Sequence, residues 1–282
     1  MQLEPGLDVS IFREVKILGS LNHKHICPIL DFFTEDDCYY IVMELMEGGD
    51  VFHRIGNLKR YNEEIARSLC QKLLEAIAYC HSRSIAHCDL KPTNLLLKSK
   101  IDDSSVMLAD FGFADYVFAP KTLTRNCGTP FFLAPEVVRS EPHDKRADMW
   151  SVGVVIYCIL SGKLPFMASR SIDLFKVILT GTFGFDDEAW ENVSDEAKDL
   201  ICNLLVIDPC KRLTASEALQ SKWISQMRNR KLRSSYLGRS QKNIKMFNAH
   251  LKLKTAMLTV QSMLRWRLVT KKSKENVQQM RV

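Results

Sequence analysis

The stretch His87-Cys88-Asp89-Leu90-Lys91-Pro92-Thr93-Asn94 is followed sixteen residues later by Asp110-Phe111-Gly112. A carboxylate, a lysine two residues on, an amide three beyond that and a second carboxylate ahead of a glycine together suit phosphoryl transfer. In that reaction negative charge spreads over the migrating phosphoryl oxygens, so a protein positions, neutralises and aligns rather than forming bonds. Asp89 is expected to orient the attacking hydroxyl and accept its proton, and Lys91 to set a compact cation beside the phosphate. Asn94 and Asp110 offer the hard oxygens that Mg²⁺ favours, while Pro92 stiffens the loop.

Each triplet alone is a weak signal, but more pieces follow in order. They are Ala134-Pro135-Glu136, then Asp148-Met149-Trp150-Ser151-Val152-Gly153, then Arg212. With these the sequence resembles a eukaryotic protein kinase: the catalytic loop, the metal-binding triplet, the end of the activation segment, the start of the central buried helix and the arginine that pairs with the segment's glutamate. The resemblance implies an α+β, kinase-like fold with a mostly helical large lobe, and ATP with Mg²⁺ as cofactors. Lys91 and Gly128-Thr129-Pro130 imply serine/threonine rather than tyrosine acceptors on a protein substrate.

Other positions take their expected roles from the same resemblance. Residues 8–21 read as a helix, with Ile11, Val15, Leu18 and Leu21 on one face; as the regulatory helix it carries Glu14. Strands are expected at Ile26 to Phe33 and Cys38 to Met43, followed by a hinge in which backbone groups of Glu44 and Met46 meet the adenine edge, Met43 gates the pocket and Leu96 lies under the base. Glu63 to His81 reads as a long helix. Leu18, Ile29, His87 and Phe111 match the internal hydrophobic column, so His87 is expected to be packed and structural. Thr122, Thr124 and Thr129 lie in the activation segment, Thr124 and Thr129 being the regulatory candidates.

Three departures from the family pattern stand out. Only thirteen residues precede Glu14 and none is a lysine, so neither the glycine-rich loop nor the strand lysine is expected here. Glu14 then has no partner, and activity of the chain as written is expected to be strongly impaired; a non-catalytic regulatory module that binds calmodulin or another kinase is the alternative. Cys88 replaces the arginine that commonly gathers a phosphorylated loop. It reads as an ordinary buried thiol, with a redox handle as the other reading. Thr93 replaces an acid common in relatives that select basic substrates, which leaves Asp50 as the acidic candidate.

The expected organisation is a truncated small lobe (1–43), a hinge and large lobe (44–226) and a tail (227–282). The total charge is +6, yet residues 227–282 hold fifteen Lys/Arg against one acid, Glu275, a net of +14 that leaves −8 on residues 1–226. The chain is an acidic globule with a basic tail. Within the tail, 244–268 is free of Gly and Pro, and Leu253, Met257, Val260 and Trp266 fall at relative positions 1, 5, 8 and 14 among flanking lysines and arginines. This basic amphipathic pattern suits a calmodulin groove; a membrane-surface helix or a nuclear-localisation patch uses the same pattern. The aromatics are too few for a nucleic-acid surface, so no nucleic acid is expected. Phe247 to Leu258 also resembles the autoregulatory segment of calcium/calmodulin-dependent protein kinases, with Ser240 near the expected regulatory site but Leu237 where an arginine is wanted.

Nine cysteines without CxxC pairs point to free thiols in a reducing compartment. The N-terminus shows no signal-peptide pattern, and the longest apolar run, Val152 to Leu160, is too short to span a bilayer. A cytoplasmic protein is expected, with the nucleus as the alternative.

Overall fold

The computed structural model describes residues 7–36, 38–102, 105–225 and 235–249. α1 (Leu7–Ser20) precedes the antiparallel pair β1 (Ile29–Glu35) and β2 (Cys38–Met43), in which Phe33 faces Tyr40 and Phe32 faces Ile41. β1 starts three residues later than expected. Pro28 has no N–H to give a ladder, and its carbonyl instead accepts from Glu44 N–H at 3.3 Å.

α2 (Val51–Asn57) is capped by Asp50, whose carboxylate accepts from His53 N–H at 2.8 Å. That side chain, the acidic candidate for a basic substrate, is engaged in satisfying a helix-terminal donor. α3 (Glu63–Ser82) is capped by Asn62 and buries Ala66, Leu69, Leu73, Ile77 and Cys80 on one face, at the spacing of a core-facing stripe. Three short pieces, β3 (Ile85–Ala86), the hairpin of β4 (Leu95–Leu97) with β5 (Val106–Leu108), and β6 (Asp115–Tyr116), follow. β3 pairs with β6 and β4 with β5, all antiparallel.

α4 (Pro135–Val138) leads to α5 (Arg146–Ser161), which is apolar all round and buried along nearly its whole length. A helix without a polar face belongs at the centre of a core, and the remaining helices wrap it: α6 (Ser171–Thr180), α7 (Asp195–Leu204), α8 (Ala215–Leu219) and α9 (Lys222–Ser225). Gly153 of α5 admits α7 closely, since a β-carbon there would come 2.8 Å from a Leu205 methyl and 2.9 Å from Leu204 Cβ. α5 ends at Gly162, whose φ of +70° favours a residue without a β-carbon.

The tail enters the same structure. α10 (238–249) buries Ser240, Gln241 and Ile244, and Phe247 packs edge-on against Phe52 at 5.6 Å. Gln241 donates to the carbonyls of Ile55 and Leu58 at the end of α2, and Asn243 to Ser161 O at the end of α5. These bonds satisfy orphan helix-terminal carbonyls, so this part of the tail is docked on the large lobe. Ser240, expected near a regulatory site, is fully buried and its hydroxyl has no hydrogen-bond partner.

Candidate active site

The β4–β5 hairpin brings together the two halves of the motif that opens the sequence. Leu95 faces Leu108 across the ladder, so Asn94 and Ala109 close its end, Ala109 N–H donating to Asn94 O at 2.9 Å. Asp110 is the next residue. Asn94 is held from the other side as well, because its Nδ2 donates to Asp89 O at 2.9 Å. That bond commits the amide nitrogen and turns the carbonyl oxygen into the available ligand atom. Asp110 is exposed, in the left-handed region at φ +64°, with only a long contact from Gly112 N–H at 3.4 Å.

Asp89 is 3% exposed and fully engaged. Its Oδ1 accepts from the N–H and the hydroxyl of Thr129, at 2.8 and 2.7 Å, and its Oδ2 is paired with Lys91. Burial alone pushes the carboxyl up, but the hydrogen bonds from Lys91 and Thr129 outweigh it and hold Asp89 below the usual carboxylate range. A carboxylate held down in this way orients a hydroxyl better than it removes its proton.

His87 has no exposure and packs on Phe111 with ring centroids 4.7 Å apart. Its Nε2 lies 3.2 Å from Ala109 O and its Nδ1 accepts from Asp89 N–H at 3.3 Å, an arrangement that suits the neutral imidazole. Burial lowers its pKa further. Leu18 and Phe111 are buried and Ile29 packs against the same core, so the four residues of the expected column share one cluster.

Asp148, read in the sequence only as the start of the central helix, holds the catalytic loop in place. Its carboxylate is buried at 2% exposure and accepts from the N–H groups of His87 and Cys88 at 2.8 and 2.9 Å, with His81 Nε2 at 2.9 Å as third partner. Burial raises its pKa, but these bonds, that of His81 first, bring it below the ordinary value. A carboxylate in the first turn of a wholly apolar helix is the sequence signal for such a role. Thr129, expected among the regulatory threonines, has its hydroxyl on Asp89, whereas Thr124 is exposed.

At the small-lobe side, Glu14 of α1 reaches the triplet: a β-carbon on Gly112 would lie 3.6 Å from Glu14 Oε2 and 3.4 Å from Asp110 Oδ1. Burial raises the Glu14 pKa and the Asp110 charge adds to it; no cation pairs with Glu14 among the described residues. At the hinge, Glu44 pairs through its side chain with Lys98 at 2.5 Å, Leu96 is half-buried opposite Met107, and Met43 and Leu45 are exposed.

The donor set fits Mg²⁺. That ion needs one or two carboxylates together with phosphate oxygens and water, and Asn94 with Asp110 supplies an amide oxygen and a carboxylate on adjoining strand ends. The described residues hold no group of three or more His, Cys, Asp or Glu of the kind a caged metal requires.

The protein kinase domain family matches residues 3–224. The chain belongs to the protein kinase family. Over 220 residues the kinase is 39% identical to calcium/calmodulin-dependent protein kinase type 1 of Caenorhabditis elegans and, over the same length, to that of Caenorhabditis briggsae. The alignments cover 78% of this chain and 63% and 62% of those relatives, so the chain spans about three-fifths of their length. Myosin light chain kinase A of Dictyostelium discoideum is 39% identical over 223 residues, 79% of this chain and 76% of that one. The kinase is thereby a member of the calcium/calmodulin-dependent group, and its α+β architecture is that of the family.

Away from the catalytic loop, the kinase fixes the end of its activation segment through Glu136. The carboxylate, 3% exposed, receives a two-pronged bond from the buried Arg212 guanidinium at 2.7 and 3.0 Å, as the family pattern implied. Leu253, Met257, Val260 and Trp266 lie outside the described residues. No described helix is long and apolar enough to cross a membrane.

Proposed function

We propose that the kinase transfers the γ-phosphoryl of ATP to serine or threonine of a protein substrate. In this reading Asp89 orients the acceptor, Lys91 neutralises the phosphoryl, and Asn94 and Asp110 hold Mg²⁺. The observation that carries it is the two-bond clamp on Asn94, which locks the catalytic loop to the strand end bearing Asp110. Such preorganised charge is the main source of catalysis in phosphoryl transfer. Mg²⁺ when bound bridges the phosphate oxygens and offsets their charge.

One observation favours weak transfer by these 282 residues alone: the Glu14 carboxylate stands beside Asp110 with no cation on it among the described residues. Displacing a reacting group by about 1 Å costs on the order of a hundredfold, and a non-catalytic regulatory role follows if transfer is lost entirely. A radiolabelled-phosphate assay on the 282-residue chain, with Asp110→Asn as control, tests this. Incorporation above the control supports transfer; equal background counts contradict it.

We also propose that 244–268 binds calmodulin. The docked part of the tail supports the reading, because Ile244 and Phe247 are apolar anchors already used against α2 and the central helix. Titrating a 244–268 peptide with calmodulin is expected to show calcium-dependent binding. The full chain binds more weakly than the peptide, since its competent state requires undocking α10 first. Absence of calcium-dependent binding to the peptide contradicts the assignment.

A further inference from the structure

Cys88 and Cys127 are 39 residues apart in the chain, yet they meet beside Asp89. The Cys88 thiol hydrogen-bonds the Cys127 sulfur, and both residues are part-exposed. Their backbones are close too: a β-carbon on Gly128 would fall 2.7 Å from Cys88 O, and Gly128 itself takes φ +111° to permit the approach. Both cysteines line a recess of about 20 Å³ next to Ala134 and Asp148, room for a water-sized molecule. The other seven cysteines are either buried in the core (Cys27, Cys70, Cys80, Cys158) or exposed (Cys38, Cys202, Cys210).

We propose that Cys88 and Cys127 form a reversible disulfide, a modification site that ties the residue before Asp89 to the residue two before Thr129. The oxidant is a hydroperoxide. The Cys127 thiolate attacks one peroxide oxygen, the O–O bond breaks, hydroxide leaves, and Cys127 becomes a sulfenic acid. The Cys88 thiol then attacks the Cys127 sulfur, forming the S–S bond and releasing water. In sum two thiols and one hydrogen peroxide give one disulfide and two waters. A dithiol returns two electrons and two protons and restores both thiols.

The roles of the two sulfurs follow from their surroundings. The Cys88 hydrogen bond brings Cys127 down to about 7, against the effect of burial and with help from Arg125. The same bond and then burial push Cys88 well above the ordinary thiol range. Cys127 is therefore the attacking sulfur and Cys88 the resolving one. Because Thr129 already holds Asp89 through its N–H and hydroxyl, the bridge freezes that contact. Oxidation of the pair does not require phosphoryl transfer, so the two are tested separately.

The test treats the full chain with equimolar hydrogen peroxide and maps its peptides without reduction. A Cys88–Cys127 linked peptide lighter by two hydrogen atoms, restored by dithiothreitol, is expected. In parallel, alkylation of the untreated chain at pH 7 is followed residue by residue. A thiol near 7 has about fiftyfold more thiolate than one near 9, offset by its lower nucleophilicity, so Cys127 reacts about sixfold faster than an ordinary exposed thiol. Cys88→Ala is expected to remove both the linked peptide and that rate advantage. Cys127 passing to sulfinic acid while Cys88 stays free, Cys127 linking to another cysteine, or Cys127 alkylating no faster than exposed Cys38 and Cys210 overturns the proposal.

Discussion

Arg212→Ala is expected to destabilise the kinase by about 3–5 kcal/mol, the range for breaking a buried ion pair from one side. The guanidinium is 2% exposed and makes the fork to Glu136 described above. It also donates to Arg146 O at 2.6 Å, Val206 O at 3.0 Å and Ile207 O at 3.4 Å, and lies 5.3 Å over the Trp150 ring. Truncation leaves the Glu136 carboxylate without a cation and several carbonyls without donors, together with a cavity beside Trp150. Arg212→Lys keeps the charge but not the planar fork and falls between the two. Removing both partners, as in Glu136→Gln with Arg212→Met, is expected to cost less than the sum of the single changes, because the orphaned charge is gone. Urea unfolding reads the midpoint shift; a loss under about 1 kcal/mol for Arg212→Ala would mean that the pair is not as buried as its geometry shows.

Asp148→Asn is expected to cost about 2–4 kcal/mol, because three donors converge on this carboxylate and an amide can accept from only some of them while turning its own N–H₂ toward the rest. The sign of its pH dependence follows from the direction of its shift. Asp148 is below the usual carboxylate value when folded, so its contribution is fully present above the unfolded value of about 3.9 and is lost as pH falls through the folded value. Acid unfolding of the native chain therefore steepens below about pH 4, and that component is missing in Asp148→Asn. Matching acid profiles for the two chains would contradict the role. The substitution also frees the His87 and Cys88 N–H groups, so the φ of +66° at Cys88 loses its restraint and the loop bearing Asp89 loosens.

The residues that meet the phosphates were legible in the sequence because their chemistry is local: Asp89, Lys91 and Asn94 lie in one loop and Asp110 at the end of the hairpin that loop opens. α1 and α3 were legible from their apolar spacing, to within a residue or two at their ends. α5 was recognisable as central because no face of it is polar. The roles of Asp148 and Thr129 were not legible, since their bonds cross 61 and 40 residues and nothing periodic marks a carboxylate or hydroxyl that will be buried by tertiary contact. Cys88 read as an ordinary thiol for the same reason: its partner comes from a segment whose path only the fold sets. Pro28 delayed β1, where alternation alone put the strand start at Ile26. In the tail the residues from Ile244 read as helical, while Gly238 masked the earlier turn that α10 adds.

The most direct test of the account is whether a metal-dependent nucleotide site exists where Asn94 and Asp110 adjoin. Equilibrium binding of a fluorescent ATP analogue to the full chain is measured with and without Mg²⁺, and again for Asp110→Asn. The account predicts that Mg²⁺ tightens binding to the native chain by about tenfold, ~1.4 kcal/mol, and has no effect on the Asn variant. Equal affinity with and without the ion in the native chain would contradict it.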